Sequence, residues 1–389
     1  MDLRVAEKVN RKLAATEFDG IVVVGADNFQ YLTGAPLPFL HNALDRYVAV
    51  FWPKKGEPEC ICPSQWESTI RKLSWIKQVH SYIESGDNVK AATDALKEIV
   101  RKVRAGGIIG IDMGRCPTVL FENLRDTLGE LRLQNCDGLL SELRMNKTQE
   151  EVQLLSDVAY RTDHGIQGAT HHIIITAPRT EMAFSEEVRV HCIERGLETL
   201  GYHQLSSIAS GENSKQFWPY APFFGIGGGE KELREHETLR IEMRSSIEGY
   251  WSDAARMVMM GEPSPEQKTA YDGLVALRTV AVDAMRPGVK CSEIARIISE
   301  EAKRRGIDLI EELGFGHGVG VTTHEPPYVC ESDNTPLEPG MIIVLDPVVY
   351  GSRKEIMRSK DTVLITDSGC KILGWYKDWR TPFIPARVL

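Results

Sequence analysis

A histidine set among glycines is the first place where this chain could do chemistry. The stretch reads Gly314-Phe-Gly316-His317-Gly318-Val-Gly320, and seven residues after the histidine comes His324-Glu325-Pro326-Pro327. Alternating glycines let backbone approach backbone, or a ligand, where a Cβ would collide. The pattern predicts a catalytic or ligand-binding floor with the His317 ring exposed, rather than a tight turn carrying a solvated histidine. Four further groups lie in or beside short apolar runs. They are Glu242 in Leu239-Arg-Ile-Glu242-Met, Asp253 in Gly249-Tyr-Trp-Ser-Asp253, Asp346 closing Met341-Ile-Ile-Val-Leu-Asp346, and Lys360 in Arg358-Ser-Lys360-Asp361. A carboxylate in an apolar strand is costly unless paired or liganded. Singly, each reads as a strand-end charge reaching solvent. With a glycine-framed imidazole they read as one convergent site.

The elements that must position these groups fall into two parts. Over residues 1–140, strand-like runs at Asp19–Gly25, Tyr47–Trp52, Glu59–Cys62 and Ile108–Asp112 alternate with helical spacing at 4–16, Ser64–Trp75, Asn88–Val103 and Val119–Leu131. That alternation predicts an α/β domain. Asn28–Gly34 reads as a helical turn. A seam follows, in which Thr148 and Glu151 make a capping-box signature at the start of a long amphipathic helix. Over 150–389, helical stretches at Glu181–Arg195 and Pro265–Met285 interleave with strands at Ile241–Ser246, Met257–Met260, Met341–Leu345 and Thr362–Ile365. These strands lack one-for-one crossover helices, so the second domain is expected to be α+β around antiparallel sheet.

Composition narrows the function classes. The net charge is −9 and no basic block occurs, which excludes the electrostatic footprint of a nucleic-acid binder. The longest apolar runs, such as Tyr47–Trp52, are far short of a membrane span. The first residues, Met1-Asp-Leu-Arg-Val-Ala-Glu-Lys8, lack the apolar run of a signal peptide, and the eight cysteines are scattered. Together these read as the reduced thiols of a cytoplasmic protein. Trp218, Trp251, Phe217, Tyr220, Phe223 and Phe224 read as core, or as an aromatic wall for a small cationic ligand. Gly225–Gly229 lacks the context of a phosphate loop and reads as a flexible one, and His171-His172 reads as structural.

The segments resemble the creatinase/aminopeptidase P/prolidase family, whose fold is the pita-bread fold. The likeness is carried by Glu242 with Gly249-Tyr250-Trp251-Ser252-Asp253, by Gly316–Gly320 with His324–Pro327, and by Leu337–Met341 with Asp346-Pro347. In the first domain it is carried by Asp19-Gly-Ile-Val-Val and Asn28–Gly34. The resemblance implies a pita-bread α+β domain over 150–389 and a smaller α/β N-terminal domain over 1–140. It also implies a homodimer acting on a small molecule. In the family's metallopeptidases two Asp, one His and two Glu hold two metals. Here those positions are Glu242, Asp253, His317, Asp346 and Lys360, and a protonated lysine cannot ligate a cation. The family's catalytic histidine falls on Trp218, while its second histidine is kept as His324.

The altered set resembles the members that work without metal, creatinase and ectoine hydrolase. It leads to the expectation of no cofactor and of C–N hydrolysis of a small cationic or zwitterionic compound. In that reading His317, His324 and Asp346 are catalytic, and Glu242, Asp253, Lys360, Trp218 and Tyr250 bind substrate. The alternatives are an Xaa-Pro aminopeptidase or dipeptidase with one metal, Mn or Zn, on Glu242, Asp253, His317 and Asp346, or a non-catalytic binding relative.

Overall fold

The computed structural model describes residues 3–37, 43, 45–176, 180–198, 205–217, 220–221, 225–226 and 229–374. The chain divides into two compact units, Met1–Arg144 and Met145–Leu389.

The first unit runs α1 (Leu3–Ala14), β1 (Gly20–Val23), α2 (Ala26–Thr33), β2 (Ala49–Pro53), β3 (Glu59–Pro63), α3 (Glu67–Leu73), β4 (Gln78–Tyr82), α4 (Asn88–Val100), β5 (Ile108–Ile111), α5 (Thr118–Thr127), β6 (Arg132–Asn135) and α6 (Asp137–Met145). Its six strands form one mixed sheet in the order β4-β3-β2-β1-β5-β6. The central strands are apolar and buried throughout, as their β-branched runs require. Edge strands β4 and β6 are largely exposed, so neither carries a hydrophobic run that would mark it in the sequence.

The second unit runs α7 (Gln149–Thr176), α8 (Glu181–Glu194), β7 (Leu205–Ser210), β8 (Tyr220–Ala221), β9 (Gly225–Ile226), β10 (Thr238–Ile247), β11 (Tyr250–Met259), α9 (Pro265–Ala284) and α10 (Cys291–Arg305). Then come β12 (Gly316–Gly318), β13 (Glu325–Tyr328), β14 (Ile342–Leu345), β15 (Val348–Tyr350), β16 (Ile356–Arg358), β17 (Asp361–Ile365) and β18 (Cys370–Ile372). The capping box forms as its sequence implies: Glu151 N–H donates to Thr148 Oγ1 at 3.2 Å, and Thr148 N–H donates to Glu151 Oε2 at 2.8 Å. Part of the glycine run read as a loop is strand β9, paired with β8. Two antiparallel sheets, β11-β10-β7 and β13-β12-β14-β17-β18, supply the floor of the unit. Helices α9 and α10 pack with them around a core that includes Leu277, Ile294, Ile298, Ile343 and Val363. A bridge from Ala255 to Lys360 ties the first sheet to the segment leading into β17. None of the helices among the described residues is long and apolar enough to cross a membrane.

The glycines around His317 do something other than expose a ring. A Cβ on Gly316 would lie 2.5 Å from the Val344 carbonyl, and one on Gly318 would lie 2.7 Å from the Glu325 carbonyl and run into that of Pro326. One on Gly320 would meet Glu325 Oε1 at 2.6 Å. The alternation therefore lets β13 and β14 close on β12, and His317 is held buried between them at 5% exposure. The expected bare floor is corrected on that point.

Gly318→Ala is accordingly expected to destabilise the second unit by about 1–3 kcal/mol, the usual range for overpacking. Urea unfolding followed by tryptophan fluorescence measures it, and an unchanged midpoint would contradict the close-approach account.

Candidate active site

The site grows from the two-residue period of its strands. On β10, Arg240, Glu242 and Arg244 alternate with Ile241 and Met243 and so project from one face. Asp253 of β11 stands opposite Arg244 in the register. His317 comes from β12, Asp346 follows β14, and Arg358 and Lys360 sit two residues apart at the end of β16 and just beyond.

Two cations hold the three carboxylates together. Lys360, fully buried, donates from Nζ to both Asp253 oxygens, Oδ1 at 2.8 Å and Oδ2 at 2.9 Å. Arg358 donates from Nε to Asp346 Oδ1 at 2.7 Å and from Nη1 to Glu242 Oε2 at 2.9 Å. Arg240 Nε lies 3.0 Å from Glu242 Oε1, and Arg244 Nε lies 3.4 Å from Asp253 Oδ2. Lys360 is farther from Glu242, at 3.6 Å, and from Asp346, at 4.0 Å.

Charge follows from this packing. Burial alone would raise Asp253, but Arg244 and Lys360 outweigh it and hold the group well below the usual carboxylate range. Glu242 moves the same way, since Arg358, Lys360 and Arg240 outweigh its burial. Burial pulls the guanidinium of Arg358 down, yet Asp346 and Glu242 raise it further above its ordinary value.

The two imidazoles are a second feature. His317 and His324 stack with ring centroids 3.8 Å apart and planes 23° from parallel. Their Nε2 atoms lie 3.7 Å and 3.9 Å from Asp253 Oδ2. His317 Nδ1 is 3.0 Å from the Gly318 carbonyl, which can only accept, so the ring proton sits on Nδ1. Nε2 then presents a lone pair that is buried and, among the described residues, without a hydrogen-bond partner. Burial drives the His317 ring down to about 4 against the pull of Asp253. In His324, partial burial and the adjacent His317 push the same way, although the side chain is 43% exposed at the mouth.

Six of the residues singled out in the sequence therefore converge: Glu242, Asp253, His317, His324, Asp346 and Lys360. Tyr250 does not join them. It lies an odd number of residues from Asp253, so it faces away from the site, and its buried hydroxyl donates to Glu151 Oε1 at 3.2 Å. Trp218 lies outside the described residues, while Phe217 packs beside Ile310, Val348 and Ile356. Glu242 and Asp346 are both engaged by Arg358, and Asp253 by Lys360. Sequence reasoning missed Arg240, Arg244 and Arg358. The signal was present, since each stands two residues from a quoted site residue and so shares its strand face.

Lysine and arginine also decide which metal the residues fit. Lys360 offers no lone pair, and Glu242 and Asp346 are engaged by Arg358, so neither the five-residue set nor Glu242 and Asp346 fits a cation as packed. Among the described residues, Asp253, His317 and His324 instead offer ligand atoms that all lie within 4.8 Å of one another. One carboxylate oxygen and two neutral imidazole nitrogens suit a borderline divalent ion such as Zn or Mn.

The model of metallopeptidase family M24 matches residues 153–367, more than half of the chain, and that of the creatinase/prolidase N-terminal domain matches 6–146. The Xaa-Pro dipeptidase of Pyrococcus furiosus is 27% identical over 280 residues, covering 72% of this chain and 76% of that protein. The Xaa-Pro dipeptidase of Pyrococcus horikoshii is 26% identical over 368 residues, covering 94% and 95%. The recombinant prolidase of Thermococcus sibiricus superposes with a TM-score of 0.81 over 99% of both chains at 21% identity, a likeness of fold. The expectation of no cofactor is overturned by the Asp253–His317–His324 group, which could hold a metal ion, and by the match to a family of metallopeptidases. From the glycine-framed histidine to the acid that closes β14, the ordered motifs, the pita-bread fold and both matched models agree: the chain belongs to metallopeptidase family M24, in its creatinase/aminopeptidase P/prolidase branch.

Proposed function

We propose that the chain hydrolyses the peptide C–N bond of a dipeptide of the Xaa-Pro kind, with one divalent ion held by Asp253, His317 and His324. The observation that carries this reading is the buried Nε2 lone pair of His317, facing Asp253 beside a second neutral imidazole. The relatives named Xaa-Pro dipeptidase support the substrate class over creatine- or ectoine-like compounds.

When bound, the ion supplies a Lewis acid and lowers the pKa of a coordinated water. The remaining work falls to the chain. Gly318 O and Thr323 Oγ1 lie at the two Nδ1 atoms, 3.0 and 3.1 Å away, and so turn both Nε2 atoms inward. Lys360 keeps Asp253 ionised as a ligand. Lys360 and Arg244 set fixed positive charge beside Asp253. Because neither ring is protonated at neutral pH, neither serves as a general acid in the resting site.

Purified chain with added Mn²⁺ or Zn²⁺ is expected to release proline from Ala-Pro and to lose that activity to a chelator. Turnover of creatine or ectoine that survives chelation would overturn the reading.

His317→Gln removes one of the three proposed ligands and is expected to lose most of the metal-dependent turnover of Ala-Pro while the chain stays folded by circular dichroism. Near wild-type turnover in the folded variant would remove His317 from the site's chemistry.

A further inference from the structure

Of the two imidazoles, His324 is the less fixed by its own surroundings. Its side chain is 43% exposed, against 7% for His317, which is held between β13 and β14. An exposed ring is aimed mainly by the backbone that carries it and by what supports that backbone. Here the backbone is that of residues 319–324, the link from β12 to β13, in which Val319, Val321, Thr322 and Thr323 are buried.

The link closes on one carboxylate, that of the next residue, Glu325. Thr322 Oγ1 stands 3.2 Å from Glu325 Oε2 and 3.1 Å from the His324 carbonyl. A Cβ on Gly320 would meet Glu325 Oε1 at 2.6 Å, so the carboxylate lies directly against the backbone of that glycine. The Gly320 carbonyl in turn accepts from Trp251 N–H at 2.8 Å. Lys147 Nζ donates to Glu325 Oε1 at 2.9 Å, and the two side chains are 1% and 4% exposed. The lysine's own backbone is fastened, since its N–H donates to the Gly340 carbonyl at 3.0 Å, next to the Asn146–Met341 bridge that precedes β14. β14 pairs with β12, the strand that carries His317. A charge buried this completely is stable in place only while its partner is there. The pair therefore ties the link bearing His324 to the sheet bearing His317.

We propose that Lys147 is a positioning residue for the metal site: through Glu325 it fixes the link that turns His324 Nε2 toward Asp253. The inference rests on the single-ion reading above, in which His324 is a ligand. Groups that orient a metal ligand without touching the metal typically set the affinity by about 10–100-fold.

The test needs no turnover. Mn²⁺ is titrated by calorimetry into the natural chain, K147M, H324A and the double variant K147M/H324A, each checked for folding by circular dichroism. K147M is expected to weaken Mn²⁺ binding at least about tenfold in the natural chain and by less than about twofold in H324A, where no imidazole is left to be aimed. K147R, which keeps a cation for Glu325, should recover part of the lost affinity. Equal weakening in both backgrounds would make Lys147 a general support of the fold and overturn the proposal, as would unchanged affinity in K147M. If K147M does not fold, K147Q takes its place in the cycle and is judged by the same outcomes. No Mn²⁺ binding by the natural chain, or binding untouched by H324A, sinks the single-ion reading and the proposal with it. Weakening by H324A with none by K147M sinks only the role of Lys147.

Discussion

Everything at this site depends on the contact between Lys360 and Asp253. An ammonium with no exposure to water is held by both oxygens of a carboxylate that is itself fully buried. Either charge alone would be costly there. Removing one partner of a buried pair typically costs about 3–5 kcal/mol, because the other is left uncompensated. The pair also has a structural consequence. Lys360 N–H donates to the Ala255 carbonyl at 3.2 Å, so the segment bearing the ammonium is fastened to the strand bearing Asp253. Arg358, two residues earlier, reaches Glu242 and Asp346 from the same segment. One short stretch of chain thus neutralises all three acidic groups of the floor.

That arrangement sets the terms for the metal. Where the family resemblance implies two ions on five side chains, this chain has two of its own cations among the carboxylates. Protein charge does there part of what a second ion would do, keeping Glu242 and Asp253 ionised. The donor atoms that remain are those of Asp253 and the two stacked imidazoles. Asp253 is shared, for Lys360 bonds both of its oxygens and both histidine Nε2 atoms lie within 3.9 Å of Oδ2. The reaction proposed for the site follows from this division: one ion beside the histidines, and fixed positive charge around it.

Much of the fold was legible in the sequence. The apolar strands of the first sheet and the Thr148 cap announce themselves by β-branched content and capping, whereas of β10 and β11 only 241–246 and 257–260 read as strand, because Tyr250–Arg256 carries no β-branched run. Edge strands β4 and β6 did not, because an exposed strand has no apolar face to alternate. Five candidate residues were legible from chemistry, as three acids and a lysine in or beside apolar strands and a histidine among glycines, and His324 entered with the family resemblance. The burial of His317 was not, because glycine permits two opposite things, exposure of a neighbour or close approach of another strand, and only the registers of β13 and β14 decide. The arginines escaped because an arginine in a strand reads as solvated. Here the pleat turned Arg240, Arg244 and Arg358 towards the acids two residues away. With the arginines unseen, the acids seemed free to receive a cationic substrate, and metal-free chemistry followed from Lys360. With them in place, the acids are engaged and the imidazoles are the available donors.

Anomalous diffraction at the manganese edge, from crystals equilibrated with Mn²⁺, tests the central claim most directly. The account predicts one peak per chain, bounded by Asp253, His317 and His324, with Arg358 still bonded to Glu242 and Asp346. Two peaks, or a single peak between Glu242 and Asp346 with Arg358 displaced, would contradict it.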